Sequence, residues 1–134
     1  MHSKSLKFRG RQVYLMDLEE KLPNSFEGKF VVLLPAYNDQ EVLIGKTLAS
    51  ALLDAGCSEF CCVGARAEEL HDRIDEVIED REEFDVVTTF HDDVVEACEY
   101  FLFAAGAAQP SLIAMVSDHV EIKSCLESLI AGTD

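Results

Sequence analysis

Apolar positions fall into short continuous runs that alternate with longer stretches of helical period. Phe30-Val31-Val32-Leu33-Leu34 is unbroken, the pattern of a strand buried on both faces. Asp39 to Ala55 then keeps Val42, Leu48, Leu52 and Ala55 at helical spacing, and Gly56 offers a left-handed stop. Phe60-Cys61-Cys62-Val63 predicts a second strand. Ala67 to Asp80 predicts a second helix with Leu70, Ile74, Val77 and Ile78 on one face. Asp85 to Phe90 is rich in β-branched residues and predicts a third strand. Asp93 to Ala108 predicts a third helix, blocked from continuing by Pro110. Leu112 to Val116 predicts a fourth strand, and Asp118 to Ile130 a last helix.

This is β-α four times with short connections. Parallel strands need crossovers, and right-handed crossovers put helices on both faces of the sheet. The expected fold is a three-layer α/β sandwich with a mostly parallel sheet of at least four strands. Residues 30–134 form that single domain, and residues 1–29 are an N-terminal extension packing on it. Within the extension, Val13 to Met16 suits a short strand or packing segment, and Leu22-Pro23-Asn24-Ser25 a turn. The first ten residues have little to bury and are expected to be mobile.

Charge sharpens the picture. The chain has 134 residues, 49% of them apolar, and a net charge of −15. Residues 30–134 hold 22 acids against five bases, whereas residues 1–29 are slightly basic. Such a body repels phosphate backbones, which disfavours nucleic acid, and attracts a basic partner. No apolar run reaches the length of a membrane span, and the basic, polar start is not a secretory signal. The five cysteines lack metal-ligand spacing and read as reduced thiols of a cytoplasmic protein, Cys61 and Cys62 pointing to opposite sheet faces. No cofactor and no metal site are expected.

In an open parallel sheet, ligands bind at the carboxyl ends of strands. Here those ends bring Asn38, Asp39, Arg66, His91, Asp92, Asp118 and His119 to one edge. His91, Asp92 and His119 are the catalytic candidates; Asn38, Asp39, Arg66, His91 and Asp118 are the ligand-binding ones. Each position also opens a helix, where Asn38, Asp92 and Ser117 or Asp118 serve equally as caps. Gly45-Lys46-Thr47 lacks the upstream glycine of a phosphate loop, and no dinucleotide or nucleophile-elbow motif occurs. The third helix carries a second apolar stripe, Tyr100, Phe103 and Ala107. Either the N-terminal segment covers it, or it meets a partner or second copy.

Three stretches also resemble a known family. They are Ala55-Gly56-Cys57, the run Val87-Thr88-Thr89-Phe90-His91-Asp92-Asp93, and Glu96 to Gly106 with Tyr100-Phe101-Leu102-Phe103 at its core. Together they resemble an uncharacterised family of small acidic bacterial proteins, a domain of unknown function. The likeness runs from about Val13 to the end, with Phe90 where Trp is expected in the Thr-Thr-aromatic-His-acid run. It implies one α/β domain of bacterial, cytosolic origin and assigns no catalytic residue.

The expected function is a non-catalytic interaction module binding a basic protein partner, in the manner of an immunity protein that blocks a basic toxin. Glu69, Asp72, Glu76 and Glu79 would steer that partner, and Tyr100 and Phe103 would anchor it or a second copy. The alternatives are a small metal- or ligand-dependent enzyme at the strand ends, with its two histidines close across one crevice, and a structural homodimer.

Overall fold

The computed structural model describes residues 4–18, 28–106 and 111–132. The Leu22–Ser25 turn, Ala107, Ala108 and Pro110 lie outside the described residues. The elements in chain order are β1 (Lys4–Phe8), β2 (Arg11–Leu15), β3 (Phe30–Pro35), α1 (Asp39–Ala55), β4 (Cys57–Val63), α2 (Ala67–Asp80), β5 (Val87–His91), α3 (Val94–Phe103), β6 (Ser111–Ala114) and α4 (Val120–Ala131). Among the described residues the sheet has six strands, in the order β1-β2-β6-β3-β4-β5. Only the β1–β2 pair is antiparallel.

The alternation of strand side chains divides the core in two. Phe30, Val32, Leu34, Phe60 and Cys62 pack under α1 and α2, against Ala49, Leu52, Leu70 and Ile74. Val31, Leu33, Cys61 and Val63 point the other way, against Ala97, Phe101 and Leu102 of α3 and Ile122 and Leu126 of α4. Cys61 and Cys62 thus fall on opposite faces, as strand geometry requires. Gly45 sits mid-helix in α1, where a Cβ would lie 2.9 Å from Leu70 Cδ1. Its glycine serves close packing of α1 on α2 rather than a phosphate.

The segment before Phe30 supplies two strands of this sheet. Lys4 to Phe8, read from the sequence as mobile, is held against β2 from Lys4↔Leu15 to Phe8↔Arg11. The turn between them places Arg9 and Gly10 at φ 53° and 83°. Two consecutive positive φ values match the right-handed twist of a hairpin. Glycine meets that demand at no steric cost, but Arg-Gly is a weaker hairpin signal than Asn-Gly. The β1 side chains Leu6 and Phe8 join the α3/α4 core.

The carboxyl ends of three strands are tied at Gly64. Its N–H donates to the His91 carbonyl at 3.0 Å, and Arg66 N–H donates to the Ala36 carbonyl at 2.7 Å. Gly64 has φ 129°, and a Cβ there would stand 2.6 Å from the Ala36 oxygen. Gly64→Ala is therefore expected to cost about 2–4 kcal/mol through strain and backbone collision, measured as a lower urea midpoint at unchanged m-value.

Cys57, Cys61, Cys62 and Cys98 are buried, and only Cys125 is partly exposed. Burial pushes the thiols of Cys57, Cys61, Cys62 and Cys98 up from the ordinary value of 9.0. A thiol reagent is expected to titrate one cysteine rapidly in the native protein and all five in denaturant. Folded values above unfolded ones mean this stabilisation is complete below 9.0 and declines as pH climbs beyond it. Denaturation midpoints taken between neutral and alkaline pH should fall on the alkaline side.

Candidate functional site

The chain winds from β3 through β4 to β5, then returns through α3 to β6 on the other flank of β3. The reversal opens a crevice beyond the carboxyl ends of β3 and β6, the place where open α/β sheets bind ligands. A cavity of about 470 Å³ lies there. Asp17, Asn38, Gln40, Glu41, Asp118 and His119 form its polar wall, with Leu18, Ile44 and Met115 as its apolar part. Three carboxylates against one imidazole favour a cationic occupant over an anionic one.

Glu41 organises this wall. Its Oε1 accepts from Tyr37 N–H at 2.8 Å, and its Oε2 lies 2.5 Å from His119 Nε2. The Tyr37 ring stacks on His119 with centroids 5.1 Å apart. Asn38 caps α1, its Oδ1 accepting from Glu41 N–H at 2.9 Å. Cap and carboxylate together satisfy donors on both sides of the helix start, a variant of the capping box. The spacing Asn38-x-x-Glu41 is the sequence signal that marks Glu41 at this helix start. Ser117 Oγ, at the exit of β6, is buried with no hydrogen-bond partner among the described residues.

The other strand-end candidates do not join this crevice. Asp39 pairs with Arg66 Nη1 at 2.6 Å, and Arg66 Nε also donates to Glu69 at 2.8 Å, outside the cavity. His91 and Asp92 line a separate cavity of about 240 Å³ with Glu68, Phe90 and Glu96. The His91 ring packs on Tyr100 at 5.4 Å. The two histidines therefore share no crevice. β6 and β5 lie on opposite flanks of the β3–β4 pair, and that separation keeps them apart. Helix starts also differ in detail from expectation. Asp93, not Asp92, caps α3 by accepting from Glu96 N–H at 2.8 Å. α4 starts at His119 without a side-chain cap bond, so neither Ser117 nor Asp118 fills that role.

The second stripe of α3 is engaged within the chain. Tyr100 OH donates to Glu59 Oε2 at 2.5 Å, and Gly106 N–H donates to Glu59 Oε1 at 3.0 Å. Glu59 is 6% exposed, so these bonds supply polar partners that a buried carboxylate requires. Desolvation, reinforced by Glu59, raises the Tyr100 pKa. Phe103 meets Phe8 edge-on at 5.3 Å, and Arg9 lies over both rings. Arg11 donates to the carbonyls of Leu102 at 2.6 Å and Ala105 at 3.1 Å, closing the negative end of α3. The β1–β2 hairpin thus packs against part of this stripe, while Phe103 remains 43% exposed. The apolar pattern predicts this strand from Phe60, but it begins three residues earlier, at Cys57, and so takes in Glu59.

The acids of α2 form a different surface. Glu69 pairs with Arg66, Asp72 with His71 at 3.0 Å, and Glu76 lies 3.9 Å from Arg73. His71, Asp72 and Asp75 have potential metal-ligand atoms within 4.8 Å of one another, a geometry that the contacts of His71 Nδ1 with the two carboxylates account for. Residues 67–93 hold twelve acids against two bases. Beside them Phe84, Val87 and Phe90 are 72%, 49% and 42% exposed. Phe90 touches α2 through an edge-on contact with His71 at 5.0 Å. No helix among the described residues is long and apolar enough to cross a membrane.

A family model described as a domain of unknown function, DUF7684, matches residues 12–131. Comparison with curated proteins finds no match.

Cap and site roles are separable by stability. Asn38→Ala and Asp93→Ala are each expected to cost about 1 kcal/mol, while Asp92→Ala stays within about 0.5 kcal/mol. Equal losses at Asp92 and Asp93 in chemical denaturation would contradict this assignment.

Proposed function

The chain belongs to the DUF7684 family, whose description assigns no activity, and we propose that it is a non-catalytic binding protein for a basic protein partner. One observation carries this reading: the acidic face of α2 adjoins exposed Phe90 on the edge strand β5, through the contact of Phe90 with His71. Carboxylates with an exposed aromatic ring beside them supply the two ingredients of a specific protein interface, long-range attraction and desolvated contact. Glu69, Asp72, Glu76 and Glu79 steer the partner. Phe90 anchors the partner beside these acids; Tyr100 is engaged by Glu59, and Phe103, 43% exposed beside Phe8, offers a further apolar contact on the other face of the sheet. A basic toxin held inactive by this surface is the form of partner that fits the charge best.

The strand-end crevice supports a second reading, a site for a small cationic ligand. Its basis is the carboxylates of Asp17, Glu41 and Asp118 around one cavity with His119. Arg66, His91 and Asp92 have no part in it.

The first reading is tested with tagged full-length chain and a variant reversing Glu69, Asp72, Glu76 and Glu79 to lysine. Wild type is expected to retain one stoichiometric basic protein from host lysate. The variant should bind that purified protein at least about tenfold more weakly, with the gap narrowing as salt rises. Equal affinity for wild type and variant would remove the steering role and this reading with it.

A further inference from the structure

We propose that the open edge of β5 accepts an added strand from the basic partner, an extended segment alternating lysine or arginine with apolar residues. The inference rests on the reading above and adds the mode of docking. Among the described residues β5 is the last strand of the sheet and pairs only with β4. The His91 carbonyl accepts from Gly64 N–H on the β4 side. Backbone direction alternates along a strand, so Thr89 and Val87 also face β4. Thr88 and Phe90 therefore direct their N–H and C=O groups off the edge, where an incoming strand would find them.

Side chains around that edge define what fits. Val87 and Phe90 are exposed on opposite faces of β5: Phe90 lies with Thr88 on the acidic α2 face, where cationic side chains of an added strand would fall, and Val87 offers an apolar cross-strand contact on the other face. Asp75 reaches β5 through its bond to Thr88 Oγ1 at 2.5 Å, and Asp85 and Asp92 bracket the strand in sequence. An edge with this anionic rim selects cationic side chains at alternate positions of an added strand. The same carboxylates oppose pairing of β5 with β5 of a second copy, since like charges would meet. The opposite edge, β1, carries Lys7 and Lys4, the latter paired with Glu127 at 2.6 Å, and its basic balance disfavours a basic segment. Charge thus separates the two edges that backbone geometry alone would leave equivalent.

The test uses the full, isotope-labelled chain and a synthetic peptide of about ten residues alternating lysine and valine. A control peptide of the same sequence is N-methylated at alternate residues, which keeps the charge and removes strand donors. With the first peptide, amide exchange at Thr88 and Phe90 should slow by about tenfold or more, while Thr89 and His91 change little. The control should produce no such protection. Thr88→Pro, at an edge position whose N–H faces outward, is expected to weaken peptide binding about tenfold; the methylated control gives the same information should that variant not fold. Binding without protection at Thr88 and Phe90, equal protection by both peptides, or no binding up to about 1 mM would overturn strand addition. So would peptide-free protection that grows with protein concentration, which would assign the edge to a second copy. None of these results touches the basic-partner reading, which falls only if charge reversal on α2 leaves partner affinity intact.

Discussion

Burial of β3, β4 and β6 on both faces is the constraint on which the remainder of the molecule depends. β3 is buried at every position from Phe30 to Pro35. Such a strand needs a hydrogen-bonded neighbour on each side and a helix layer above and below. The chain meets the first demand with β4 and β6, and the second with α1/α2 and α3/α4. Short β-α connections leave little choice in how this is done, since each crossover must be right-handed. Winding out to β5 and back to β6 then creates the reversal beside β3. The crevice lined by Glu41 and His119 is a by-product of that return.

A sheet built this way has two edges, and the chain treats them differently. On one, the β1–β2 hairpin continues the sheet, brings Arg11 to the carbonyl end of α3 and lays Phe8 against Phe103. The segment that extends the sheet is therefore also the segment that packs against Phe103 and the end of α3. On the other edge nothing follows β5 among the described residues. Five residues, flanking aspartates and the carboxylates of α2 protect it against copies of itself, and the same features define the kind of strand it admits.

Buried polar groups follow the same economy of position. Glu59 lies in β4 among apolar neighbours, and Tyr100 OH and Gly106 N–H converge on its carboxylate. Removing one partner leaves a buried charge short of a hydrogen bond, so the arrangement fixes the end of α3 against the sheet. Glu41 does comparable work at the surface, joining the start of α1 to the start of α4 through His119.

Local pattern in the chain determined much of this. The spans of α1 and α2, the stop at Gly56, the opposed directions of Cys61 and Cys62 and the four β-α units follow from periodicity and cap chemistry. These depend on residues within a few positions of one another. The charge asymmetry was equally legible. Tertiary structure alone decided which strands became edges, that Lys4 to Phe8 was one of them, and which strand-end side chains met. Asn38, Asp118 and His119 came together because β3 and β6 are neighbours; His91 and Asp92 did not, because β5 lies two strands from β3. Glu59 found Tyr100 across 41 residues of chain. Strand order is set by non-local packing, which leaves no periodic trace in the sequence, and strand order is what gathers or separates a site.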